Sequence, residues 1–259
     1  MRKLTFSLTT KDFLLFSIVC FLSTLSNSVL WAQNTKAFTI VLDPGHGGHD
    51  CGAKGKHSLE KEITLSICQK IESLIQSHWS DVMVELTRRD DDFIALNQRT
   101  AFANELSADL FVSVHCNALS VPHVRGTETY VMGTHKTDAN LSIVHFENAS
   151  AENAEDQAVF GGFEPESPEA FIIMSQWQAS YFNQSMALAQ ACEQGFASHH
   201  PGGSHGVKQA GFFVLYKTKM PSILTEVGFL TNHKDEQYLM SQDGQWEIAN
   251  NLFKAIEQY

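Results

Sequence analysis

Residues 38–48, FTIVLDPGHGG, decide the fold. Phe38, Ile40, Val41 and Leu42 form a short apolar run that closes in Asp43-Pro44-Gly45, a histidine and two further glycines. Large and β-branched residues bounded by turn formers predict a buried strand. Pro44 has no N–H to give a central ladder, and Gly45, Gly47 and Gly48 allow a sharp turn. His46 therefore falls just beyond the carboxyl end of a strand, the side on which open α/β sheets bind ligands.

Strand-like and helix-like stretches alternate downstream. Ser58 is placed to cap a helix over 60–78, in which Ile63, Ile67, Ile71, Leu74 and Ile75 recur at helical spacing. Residues 82–86 alternate as a second strand, and an acidic turn leads to a helix near 96–106. A buried strand over 110–114 delivers His115, and another strand is expected over 126–132. From 133 to 167 the chain is polar and acidic, with Glu147, Glu152, Glu155 and Asp156. An amphipathic pattern then runs over 168–198 until His199-His200-Pro201-Gly202-Gly203 breaks it. Late strands are expected over 212–216 and 222–227, and a closing helix over 245–257. This alternation predicts one α/β domain, a mostly parallel twisted sheet flanked by helices, carrying a loop-helix insertion over about 133–205.

Composition agrees with that class. A chain of 259 residues is long enough for a substantial core, and 43% hydrophobic with 18% charged residues is ordinary for a globular domain. A net charge of −11 without a basic stripe argues against a nucleic-acid partner. Arg2, Lys3 and Lys11 precede the apolar stretch 13–25 and then a small residue, Ala32, which is the layout of a secretory signal over 1–32. The apolar stretch is short for a bilayer span, which needs about 20 residues. Export is expected, with the working domain over 33–259. Cys51, Cys68, Cys116 and Cys192 are too few for a disulfide scaffold. Cys68 and Cys192 fall on apolar helix faces, while Cys51 and Cys116 lie beside candidate metal ligands, either free or paired.

Two more polar residues stand where buried strands run out. His115 ends LFVSVH, and Glu226 lies in SILTEVGFL. Glu60 opens the helix after the first loop and can reach back over the same end of the sheet. Two histidines and a carboxylate with one open position form a catalytic zinc site, and a second carboxylate can act as base towards water. Each has a plainer reading. A lone histidine is more often structural, Glu60 favours a helix N-terminus electrostatically, and Glu226 could be half of a buried ion pair. Glu62 is a rival ligand on a different helix face.

Four ordered stretches carry a family resemblance: DPGHGG at 43–48, EKEI at 60–63, SVHCNA at 113–118 and PSILTEVGFLTN at 221–232. Together they resemble the zinc-dependent N-acetylmuramoyl-L-alanine amidases of the amidase-3 type, bacterial cell-wall hydrolases. The resemblance implies one zinc ion on His46, Glu60 and His115, with Glu226 as the catalytic glutamate. Glu60 is preferred to Glu62 because it opens the matched stretch, and Cys116 stands where the family commonly has alanine. Arg99 and Asn104 match an Arg-plus-Asn helix pattern and are read as supporting the core; Asn117 is a further supporting residue. Peptidoglycan would be the substrate, cut between the lactyl group and L-alanine during wall remodelling and daughter-cell separation in a Gram-negative periplasm.

Some amidases that this chain resembles carry a helical segment that covers the site until a protein partner moves it. Glu147, Glu152, Glu155 or Asp156 could supply a plugging carboxylate, or the segment could simply shape a groove. A monomer is expected. The alternatives are a zinc peptidase acting on another peptide and a catalytically silent wall-binding regulator.

Overall fold

The computed structural model describes residues 36–133, 138–149 and 168–259. Six strands form one sheet: β1 (Phe38–Pro44), β2 (Val82–Leu86), β3 (Leu110–Asn117), β4 (Thr127–Met132), β5 (Ser204–Ala210) and β6 (Ser222–Phe229). Their order across the sheet is β2-β1-β3-β6-β4-β5. Every pairing is parallel except β4 with β6. The helices are α1 (Glu60–His78), α2 (Leu96–Glu105), α3 (Asp138–Asn148), α4 (Pro168–His199), α5 (His233–Met240) and α6 (Gln242–Gln258).

Strand alternation sorts side chains onto two faces. Ile40 and Leu42 of β1, Leu110, Val112, Val114 and Cys116 of β3, and Ile223 and Val227 of β6 pack on one side. There α1, α4 and α6 cover them with Ile67, Ile71, Leu188, Phe196 and Leu252. Burial of an isoleucine such as Ile67 or Ile71, neither exposed to solvent, contributes about 1.5–3 kcal/mol. The residues of opposite parity, Val41, Phe111, Tyr130 and Leu224, face a smaller cluster with α2, α3 and the 210–216 segment. Parity therefore sends His115, Glu226 and Glu128 to this second, thinner side. Because α4 supplies Leu188, Ala189, Cys192 and Phe196 to the main core, the second half of the 133–205 stretch belongs to the packing of the sheet.

Two local expectations need correction, and one helix is additional. Residues 212–216 do not form a strand; Phe213–Leu215 is a single 3-10 turn. That turn buries Phe212, Val214 and Leu215 together in one cluster, which strand alternation would not do. Ser58 does not cap α1, because its hydroxyl donates to Glu236 Oε1 (3.1 Å) and the cap position falls on Leu59. The closing helix is preceded by α5, whose cap Asn232 accepts from the N–H of Lys234 and Asp235.

Candidate metal centre

The loop after β1 is built backwards from its histidine. His46 has φ 59°, a left-handed conformation rare for a side-chain-bearing residue and typical of over-determined functional sites. Its Nδ1 pairs with Asp50 Oδ2 (2.9 Å), which fixes the ring and turns Nε2 inward. Gly45 leaves room for the neighbouring ring, since a Cβ there would lie 2.5 Å from His115 Cε1. Gly52, at φ +64°, gives the same relief to Glu60 and His46.

Two buried arginines hold this loop from behind. Arg99 Nη1 donates to Asp43 Oδ1 (2.8 Å) and the Pro44 carbonyl (2.7 Å), and Nη2 donates to the His46 carbonyl (2.8 Å). Arg88, a residue not singled out from the sequence, donates to the carbonyls of Pro44, Gly45 and Lys61. Asp43 also accepts from Ser113 and Thr87. Burial alone would raise its carboxyl, but Arg99 and the hydroxyls hold it below the ordinary carboxylate range. Arg99, expected to support the core, hydrogen-bonds to the backbone of the histidine loop. Asn104 instead bridges the backbone of Lys217 and Lys219.

Glu60 reaches over the sheet end from the first turn of α1. Its Oε2 accepts from Ala53 N–H (2.7 Å) and its Oε1 from Cys116 N–H (2.9 Å). The same oxygens lie 3.1 Å from His46 Nε2 and 3.0 Å from His115 Nδ1. Glu62 is exposed, so geometry decides between the two glutamates. The fourth member is Glu147 of α3, whose Oε2 is 3.1 Å from His46 Nε2 and 2.8 Å from His115 Nδ1. Glu152 and Glu155, with Asp156, lie outside the described residues.

Four ligand atoms, one each from His46, Glu60, His115 and Glu147, lie within 4.8 Å of one another, and all four residues are buried. His46 Nε2 and His115 Nδ1 nevertheless have no aligned hydrogen bond. Nitrogens and oxygens that close without bonding each other are directed at a shared centre. A tetrahedral zinc site with arms of about 2.0 Å has edges of about 3.3 Å, and zinc accepts this donor set. Burial works against charge on the imidazoles, yet the carboxylates outweigh it. Glu147 and Glu60 push His115 up to about 10, and Glu60 and Glu147 raise His46 well above its ordinary value. Glu60 is correspondingly lowered by the two histidines despite its burial. The carboxylates thus favour positive charge at this centre, which protonated imidazoles or a bound divalent cation would supply.

Glu226 stands beside this cluster in register with His115, across the β3–β6 pairing. It is fully buried, and neither carboxylate oxygen has a hydrogen-bonded partner. Burial first, then the nearby Glu147 charge, pushes its carboxyl well above the usual range. In the next strand Glu128 is in register with Glu226, but it is satisfied by Asn117, Tyr130 and Lys208. Asn117 thus donates to Glu128 (3.3 Å), and among the hydrogen bonds described it makes none to the His46, Glu60, His115 and Glu147 side chains. Cys51 and Cys116 are free thiols.

Residues 40–258 match the family model described as Amidase_3, N-acetylmuramoyl-L-alanine amidase. The chain belongs to the amidase-3 family. Among curated amidase-3 relatives, AmiC of Escherichia coli O6:H1 is 32% identical over 88% of this chain and 54% of its own length. The chain thus spans about half the length of that relative. An N-acetylmuramoyl-L-alanine amidase from Clostridium difficile 630 superposes with TM-score 0.64 at 27% identity, covering 87% of this chain and 97% of the other. The CwlD amidase of Clostridioides difficile, solved in complex with the GerS lipoprotein, gives 0.62 at 25% identity, covering 85% and 97%. Among the described residues of this amidase-3 chain, no helix is long and apolar enough to cross a membrane.

Proposed function

We propose that this chain is a zinc-dependent N-acetylmuramoyl-L-alanine amidase that hydrolyses the amide joining the lactyl group of N-acetylmuramic acid to L-alanine in peptidoglycan. The observation that carries this reading is the buried His46, Glu60 and His115 set with Glu226 in register beside it. His46 and His115 would hold zinc through nitrogen and Glu60 through a carboxylate already oriented by two backbone N–H groups. Bound zinc supplies Lewis-acid polarisation of the amide carbonyl and acidifies water. Glu226, with both oxygens unengaged, accepts a proton from the attacking water and returns it to the departing alanine nitrogen. Behind the site β3 and β6 are buried along their whole length.

Catalytic zinc sites keep a position open, and Glu147 Oε2, 3.1 Å from His46 Nε2 and 2.8 Å from His115 Nδ1, would occupy it. We read this arrangement as a closed state in which α3 blocks the substrate, and a protein partner that withdraws α3 would activate the enzyme. Residues 1–32 serve as an export signal and 33–259 as the catalytic domain, working in the periplasm during wall remodelling and cell separation. The test is digestion of purified peptidoglycan by the mature chain and by its Glu147→Ala variant, with products read by mass spectrometry. Stem peptides beginning at L-alanine, lost with chelator and restored by zinc, are expected, and faster from the variant. Cleavage at another bond, or release that survives chelation, would overturn the assignment.

A further inference from the structure

Glu147 is the penultimate residue of α3, and the residue that follows it has a different task. Asn148 Nδ2 donates to the Gly211 carbonyl (3.1 Å), while Asn148 Oδ1 accepts from the Phe213 N–H (2.9 Å). One side-chain amide thus copies the two-way pairing of a strand neighbour, and it does so where the chain leaves β5 and enters the 3-10 turn Phe213–Leu215. Elsewhere α3 is seated by Ile143 and Val144, which enter the smaller apolar cluster with Phe212 and Val214. Apolar contacts of that kind permit sliding, whereas a donor and an acceptor 2.9 and 3.1 Å from fixed backbone atoms define one position.

We propose that Asn148 is the latch that keeps Glu147 seated among the metal ligands, so that its release from Gly211 and Phe213 is the step by which α3 opens. This rests on the reading that Glu147 closes the site. Asn148→Ala removes both bonds. Asn148→Asp keeps the acceptor for Phe213 but turns a second oxygen against the Gly211 carbonyl, and it preserves side-chain volume should the alanine variant fold poorly.

The test compares zinc-loaded full chains of wild type, both Asn148 variants, Glu147→Ala and the Glu147→Ala/Asn148→Asp double variant. Basal peptidoglycan hydrolysis, zinc content and hydrogen exchange across 138–149 are measured. Loss of one to two net hydrogen bonds should raise basal hydrolysis by about tenfold, speed exchange across α3 and leave zinc stoichiometric. The double variant should be no faster than Glu147→Ala alone. Faster hydrolysis by Glu147→Ala with wild-type rates in folded Asn148 variants would overturn the latch and leave the closure intact. No acceleration by Glu147→Ala would overturn the closure and the latch with it.

Discussion

The loop after β1 and helix α3 each bring a ligand atom to the same centre, and they are held in opposite ways. The loop has three consecutive carbonyls, Pro44, Gly45 and His46, bound by two buried guanidinium groups. Among its described side chains, helix α3 places Ile143 and Val144 in the smaller cluster and the Asn148 amide on the backbone of a turn. His46, Glu60 and His115 come from, or are tied to, the parallel heart of the sheet, whereas Glu147 comes from a helix packed on its thinner face through Ile143 and Val144. On the proposed reading, with His46, Glu60 and His115 as fixed ligands and Glu147 as a detachable block, the site would be closed without being dismantled.

Three experiments would break or sharpen this contrast. The largest effect is expected from Glu226→Gln, which should lower peptidoglycan hydrolysis by about 10²–10⁴-fold while zinc, measured by elemental analysis, stays bound. Zinc loss in that variant would show that Glu226 belongs with the ligands instead. Next, Arg99→Met strands the buried Asp43 carboxylate and should cost about 3–5 kcal/mol in urea unfolding. A cost within the scatter of surface changes, about 0.5 kcal/mol, would mean that the loop is not held from behind. The smallest is a pH effect. Asp43 is lowered in the folded state, so its contribution is complete above the unfolded value near 4 and is lost as pH falls through the lowered value. Each unit of lowering corresponds to about 1.4 kcal/mol, and the loss of urea midpoint on acidification should be shallower in Asp43→Asn. An identical acid slope in both proteins would remove Asp43 from the account.

Much of this was legible in the chain because strong local signals coincide with the site. The isoleucines of α1 recur every four residues, and its observed bounds are those the spacing predicts. A His or Glu inside an otherwise apolar buried strand, as in β3 and β6, declares itself by contrast with its neighbours. Helical pattern alone does not separate position 60 from 62, since both glutamates lie in the first turn; the family resemblance favours Glu60, and in the fold Glu60 is buried while Glu62 is exposed. Strand β5, SHGVKQA, is an edge strand with a glycine and few apolar residues, so no periodicity marks it. Helix α3 sits in a polar stretch with several carboxylates, and nothing local ranks Glu147 above Glu152 or Glu155. Arg88 is hidden for a different reason: an arginine at the start of an acidic turn looks solvated until the carbonyls it serves are in place.

The register of His115 with Glu226 also sets an order of events in time. Strands β3 and β6 are immediate neighbours at the centre of the sheet, yet the paired residues are more than a hundred positions apart in the chain. Long-range parallel pairing is among the slower steps of assembly, because loop closure must precede the contacts that reward it. The proton acceptor therefore joins the histidines only once the sheet has zipped through β6. On the proposed reading, a chain that has collapsed but not completed that pairing would have the histidines in place without Glu226 beside them, and hydrolysis would wait for the finished sheet.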